Sequence, residues 1–198
     1  MRQFIVVGHD VPMTAEFSLD DLAGAAGRLD VLCRCVSAAF FLSHDIREDV
    51  RVHLVLGDEY TVVFEGRDLR RLNPDERSTA ALVRTALDHR EEAVGRQSVE
   101  TTPGVSIVRR GFAATLSAAV GNGTVVTLHE DGDPLADAGL PADPVFVLSD
   151  HRAFADSERD LLAEVADRRV SVGPRALHAN HAITVAHNYL DTEGYQRY

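Results

Sequence analysis

Lysine is absent from all 198 residues. The 20 basic side chains are therefore all arginine, set against 31 Asp and Glu, and the formal charge is −11. A chain this acidic repels itself in dilute buffer. At 1 M salt the Debye length falls to about 3 Å and the repulsion is screened. Arginine also keeps planar, weakly hydrated contacts that lysine cannot make. This balance fits a protein adapted to a salt-rich cytoplasm.

Other absences narrow the function. Without lysine there is no phosphate-binding G-x-x-x-x-G-K-[ST] loop. No G-x-G-x-x-G follows a predicted strand, which disfavours a Rossmann-type nucleotide fold, and there is no G-x-S-x-G elbow. The 2 cysteines, Cys33 and Cys35, are too few for a disulfide framework or a cysteine zinc site and sit in an apolar helical pattern as packing residues. No stretch approaches the ~20 apolar residues of a membrane span. The opening Met1-Arg2-Gln3-Phe4-Ile5-Val6-Val7 lacks a signal-peptide layout. The expected location is the cytoplasm.

What remains is an alternation of apolar strands and helical patterns over the full length, 1–198, with no repeat and no clear domain boundary. Strands are predicted at Phe4–Val7, Val52–Leu56, Thr61–Phe64, Val105–Val108, Val125–Leu128, Val145–Leu148 and Val170–Val172. Helices are predicted within Leu19–Leu42, from Asn73 (cap) and Pro74 to about Glu92, and at Phe112–Ala119, Asp156–Ala166 and Ala179–Leu190. Gly121-Asn122-Gly123 reads as a turn and 130–144 as a Gly/Pro/Asp-rich loop. The order implies an α/β fold, a mostly parallel sheet with helices on both faces. Ligands in such sheets sit beyond the carboxyl ends of strands, so the loops after Leu128, Leu148 and Val172 are the places to search.

Several constellations could carry chemistry there. Ser149-Asp150-His151 ends a buried strand, although spacing alone favours an ordinary strand exit. His178, His181 and His187 invite a metal reading, but no H-E-x-x-H and no acid at ligand spacing supports it, so no metal is expected. Arg28, Asp30 and Arg34 lie at the start of an apolar helix. Asp30 and Arg34 are four apart and could pair, either as a surface ion pair worth little or as a carboxylate held beside a substrate. The clusters Arg67/Arg70/Arg71, Arg109/Arg110 and Arg168/Arg169 read equally as phosphate contacts or as local ion-pair partners.

Together the segments GRLDVLCRC, FFLSHDIREDVRVHLVLG, LRRLNPDERSTAALVR, PGVSIVRRGF, LHEDGDP, PVFVLSDH and GPRALHANHAITVAHNYLD resemble the archaeal tRNA pseudouridine(54) N1-methyltransferase family of the SPOUT superfamily. The likeness covers essentially the full length. A sister family that methylates a pseudouridine of ribosomal RNA shares the Arg-x-Asp element matched by Arg28 and Asp30. The resemblance implies a SPOUT-type sheet with a C-terminal deep trefoil knot (about 124–198), a homodimer, S-adenosylmethionine as cofactor and tRNA as substrate. It puts Leu128, Ser149, Asp150, Gly173, Leu177, His178 and Ala182 in the cofactor loops. It places Arg28, Asp30 and Arg34 where the related families keep substrate-base residues, so Asp30 and Arg28 are the catalytic candidates and Arg34 a substrate contact; Arg109 and Arg110 are added to the substrate side as phosphate contacts on their charge alone. Some relatives carry Gly at the position of Ser149 and Cys at that of Ala182, so Ala182 is assigned to cofactor packing only. The alternatives are a SPOUT enzyme acting on ribosomal RNA or a ribose 2′-OH, a non-catalytic RNA-binding dimer, and a histidine-based metal hydrolase.

Overall fold

A computed structural model describes residues 1–121, 123–139 and 144–198. Its eight strands form one sheet in the order β4-β5-β3-β2-β1-β7-β6-β8. They are β1 (Arg2–Gly8), β2 (Val50–Leu56), β3 (Tyr60–Glu65), β4 (Val99–Thr102), β5 (Val105–Val108), β6 (Thr124–Pro134), β7 (Pro144–Ser149) and β8 (Arg168–Ser171). The helices are α1 (Leu29–Phe40), α2 (Glu76–Asp88), α3 (Phe112–Val120), α4 (Asp156–Val165) and α5 (Ala179–Asp191).

The sheet is mixed rather than mostly parallel. β2, β1, β7, β6 and β8 run parallel, whereas β3, β5 and β4 add antiparallel, with β5 inserted between β3 and the edge strand β4. The reversal is local: Gly57 and Asp58 both take positive φ (55° and 54°), which turns β2 back onto β3 too tightly for a parallel crossover.

The central strands are apolar on both sides because both faces are covered. Phe4 and Val6 of β1 enter a core with α1, α2 and α5. Ile5 and Val7 enter the opposite core with α3 and α4. Helix α1 buries Leu29, Leu32, Cys33, Val36 and Phe40, the face its spacing predicts. Burial pushes both thiols up, Cys35 to about 12, which keeps them protonated packing groups. His187 of α5 serves the same core. It is buried, with Nε2 3.1 Å from the Ala39 carbonyl and Nδ1 3.0 Å from Arg2 NH1.

Several boundaries differ from expectation. Residues 19–28 form turns, and only Leu29–Phe40 is helical. The cap of α2 is Asp75, whose carboxylate accepts from the Ser78 N–H at 2.7 Å; Asn73 instead donates to the Ser78 hydroxyl. That helix stops at Asp88, followed by a 3-10 turn at Arg90–Glu92. The edge strand β4 has little apolar alternation to betray it. Strand β6 continues through His129–Pro134, where a loop was expected, because it pairs with β8 on both sides of an irregularity. Part of that expected loop, 140–143, and Asn122 of the expected turn lie outside the described residues. Among the described residues, no helix is long and apolar enough to cross a membrane.

Candidate active site

The carboxyl ends of β1, β2, β5, β6, β7 and β8 share one edge of the sheet, as their pairing requires. A cleft of about 300 Å³ opens at the ends of β6, β7 and β8. Leu128, Ser149, Asp150, Leu177 and Ala182 all line it. Gly173 instead lines an adjoining groove with Gly132 and Pro174. His178 caps α5: its carbonyl accepts from the His181 and Ala182 N–H groups at 2.9 and 3.0 Å, and its ring meets that of His181 edge-on.

The cleft has a distinct chemistry. Leu128, Leu148, Leu177 and Ala182 give part of it an apolar lining, beside the polar side chains of Glu130, His151, Arg152 and Arg175. The Ser149 hydroxyl oxygen is buried with no hydrogen-bond partner, so a polar atom of a ligand is the natural way to satisfy it. The Asp150 side chain is 0% exposed. It accepts from the backbone N–H groups of His9 (2.9 Å) and Arg152 (2.8 Å) and lies 3.1 Å from the His9 ring.

Beside this cleft stands the Arg28–Asp30–Arg34 group, brought together as the spacing suggested. Arg28 donates through Nε and NH2 to the two Asp30 oxygens at 3.0 and 3.2 Å. Arg34 NH1 reaches Asp30 at 2.8 Å and Glu76 at 3.1 Å. The Asp30 side chain is only 5% exposed. Burial alone would raise its pKa, but the hydrogen bonds from Arg28 and Arg34 outweigh that and hold it below the ordinary carboxylate value. Asp30 and Arg34 also line a second, wider groove with Asp20, Asp21, Asp75 and Glu76.

The turn after β1 ties the two places together. Gly27 has φ +55°, and a side chain there would strike the Asp10 carbonyl, so the bend into α1 rests directly on that turn. Arg28 follows with φ 66°, an uncommon conformation outside glycine. From the same turn His9 reaches Asp150, and Asp10 pairs with Arg152 of the cleft wall. Sequence reasoning missed His9 and Glu158, which completes the network 3.0 Å from His9 Nε2. The available signal was position: Gly8-His9-Asp10 leaves the carboxyl end of a central parallel strand, where ligand loops gather.

Arg109 and Arg110 follow β5 on the same edge. Arg109 pairs with Glu59 at 2.9 Å, and the Arg110 carbonyl accepts from the Thr61 hydroxyl at 2.7 Å. Arg169 is engaged by His129 and Asp131, and Arg168 by the Ala138 carbonyl. Among the described residues, no group of three or more His, Cys, Asp or Glu is arranged to hold a metal ion.

A cleft at a parallel sheet edge with a clamped carboxylate beside it is the layout of a group-transfer enzyme. The chain belongs to the family described as "Putative SAM-dependent RNA methyltransferase", whose model matches residues 1–195. It is 72% identical over 198 residues to the tRNA (pseudouridine(54)-N(1))-methyltransferase of Haloarcula marismortui, with 100% of both chains covered. It is 70% identical, with the same coverage, to the protein of that name from Haloferax volcanii. The namesake from Methanosarcina acetivorans is 45% identical over 96% of this chain and 91% of its own. Among solved structures, Archaeoglobus fulgidus Nep1 bound to S-adenosylhomocysteine superposes with a TM-score of 0.66 over 97% of this chain and 98% of that one. At 12% identity this likeness shows the fold alone.

Proposed function

We propose that this protein is an S-adenosylmethionine-dependent enzyme that methylates N1 of pseudouridine 54 in the T-loop of tRNA. The observation that carries the reading is the pairing of two features across one turn: a cleft with an apolar side and an unsatisfied hydroxyl at Ser149, and a buried carboxylate, Asp30, held by two guanidinium groups.

The cleft suits a cofactor with an apolar body and a few polar atoms. Leu128, Leu177 and Ala182 would pack against it, Ser149 would bond it, and the Gly173 and His178 backbone would border it. When bound, the cofactor supplies an electrophilic methyl group on sulfonium sulfur. What the protein must add is alignment and help with the N1 proton. Alignment can contribute up to ~7–11 kcal/mol.

Pseudouridine is joined to ribose through carbon, so N1 keeps a hydrogen; uridine N1 does not. Asp30 would accept a hydrogen bond from that N–H, stabilise the positive charge that would build on N1 as it takes up the methyl group, and pass the N1 proton on to water. Against the upward push of burial, the hydrogen bonds from Arg28 and Arg34 hold its pKa below the ordinary carboxylate value, which favours release of that proton to solvent. A positioned carboxylate of this kind is worth roughly 10²–10⁴-fold. Arg28 orients Asp30, Arg34 faces the substrate groove, and Arg109 with Arg110 would meet phosphate.

The proposal includes a single domain over 1–198, a deep trefoil knot in about 124–198, a homodimer and a cytoplasmic location. The irregular crossing of β6 and β8, where both Leu128 and Asp133 oppose Val170, is the kind of local geometry a knotted crossing would need. The test is methylation of two tRNA transcripts at high salt, one with pseudouridine and one with uridine at position 54. Transfer to the first alone supports the reading; equal transfer to both overturns it.

A further inference from the structure

The cleft wall formed by residues 150–154 is fastened at both ends by one side chain that lies outside it. His9 Nδ1 is 3.1 Å from Asp150, at the start of the wall. His9 Nε2 is 3.0 Å from Glu158. Glu158 in turn accepts from the Ala155 N–H at 2.8 Å, just past the wall's end. The ring and both carboxylates are sheltered, with side-chain exposures of 17%, 0% and 12%.

We infer that His9 is a positioning residue for the cofactor: by bridging Asp150 and Glu158 it holds the 150–154 wall in the shape that binds S-adenosylmethionine. The inference rests on the proposed function, since it assumes that this cleft is the cofactor site.

The chemistry of imidazole gives the bridge a direction. A protonated ring donates from both nitrogens and can hold both carboxylates. A neutral ring has one N–H, so its other nitrogen presents a lone pair to a carboxylate and one end of the staple fails. Burial pushes the His9 pKa down, but the hydrogen bonds to Glu158 and Asp150 more than reverse this, and it lies above the ordinary histidine value. The other charged groups near it are largely committed. Arg152 pairs with Asp10, Arg159 with Asp156, and Arg28 with Asp30; His151 Nδ1 stands 3.7 Å from Asp150. Asp150 keeps its two backbone N–H donors whatever the ring does, so loss of the bridge slackens the wall without unfolding it.

The experiment measures KM for S-adenosylmethionine and kcat from pH 6 to 9 in 3 M KCl, for the wild type, His9→Ala and His9→Gln, with thermal melts of each. Wild-type KM is expected to rise several-fold as pH passes through the His9 pKa, kcat moving much less. His9→Ala should show a KM raised about tenfold and flat with pH. His9→Gln, which still bonds but does not titrate, should recover part of the KM and stay flat. A His9→Ala KM equal to wild type, or a wild-type KM that does not vary with pH, overturns the inference. If His9→Ala does not fold, the Gln variant and the wild-type profile decide. If the wild type methylates no pseudouridine-containing tRNA, the proposed substrate fails instead. Calorimetry with S-adenosylhomocysteine then reads the same pH and variant pattern as Kd, and no binding by the wild type overturns the role of His9.

Discussion

Arg28 grips Asp30 with two parallel hydrogen bonds while its own backbone sits at φ 66°. The two-residue spacing alone would not direct these side chains at each other. The left-handed step at Arg28 turns the chain into α1 and brings the guanidinium over the carboxylate.

Replacing Asp30 by Asn keeps the shape and removes the charge. Single-turnover methylation of pseudouridine-containing tRNA is expected to fall roughly 10²–10⁴-fold, with cofactor affinity within a few-fold of wild type by calorimetry. Unchanged single-turnover transfer would remove Asp30 from the mechanism.

Gly27→Ala tests the bend itself. An L-residue in the left-handed region costs about 1–2 kcal/mol, and here the new methyl also meets the Asp10 carbonyl. The expected loss exceeds about 2 kcal/mol, or roughly 4–8 °C in Tm, together with reduced turnover as Arg28 shifts. Gly95→Ala is the control. It has a similar φ, +63°, but open space around it, so only the conformational part should appear.

Ser149→Ala separates a ligand contact from a structural one. The hydroxyl has no partner within the protein, so its removal should leave the apo melting temperature unchanged or slightly raised. Cofactor affinity should weaken by about 0.5–1.5 kcal/mol, the net worth of one hydrogen bond. A lower Tm with unchanged affinity would show the hydroxyl serving the fold instead.

Stability should fall on acidification, beginning near neutrality. Burial pushes His53 and His187 down to about 3, with nearby arginine charges adding to it. Unfolded, each binds a proton below about 6.5. Between those values the unfolded chain holds more protons, so stability drops as pH drops. Asp30 and Asp191, both held below the ordinary value, contribute fully above about 3.9 and lose that contribution as pH falls further. His9 acts in the other direction, its contribution being lost as pH rises through its raised pKa. Melts in 3 M KCl should therefore show a loss of at least ~1 kcal/mol, roughly 2–4 °C, from pH 7 to pH 4.5. His187→Gln should lose less over that range, and a flat wild-type curve would refute the assignment.

The legible parts of this chain were those with a local cause. The run Phe4–Val7, buried on two faces, could only be a central strand, and the i, i+3, i+4 pattern from Leu29 fixed the inner face of α1. Ser149 and Asp150 stood out as polar groups ending a buried strand, but spacing alone favoured an ordinary strand exit and the family resemblance was needed to assign them to cofactor loops. Other features depend on contacts far apart in the chain. The extension of β6 past Leu128 needs β8, 42 residues away at Val126↔Arg168, to pair with it. The staple at His9 needs partners 141 and 149 residues on. Of the antiparallel strands, β3 and β5 were legible as apolar runs and β4 alone was missed: its sequence, VETT, has too little apolar surface to register as an edge strand.

The account turns on which atom receives the methyl group. The decisive measurement is nucleoside mass spectrometry on tRNA containing pseudouridine at position 54 after reaction with the purified protein and S-adenosylmethionine at high salt. The account predicts 1-methylpseudouridine at position 54, formed roughly 10²–10⁴-fold more slowly with Asp30→Asn. A methyl group on a ribose 2′-oxygen, or on any other nucleotide in place of that one, would contradict it.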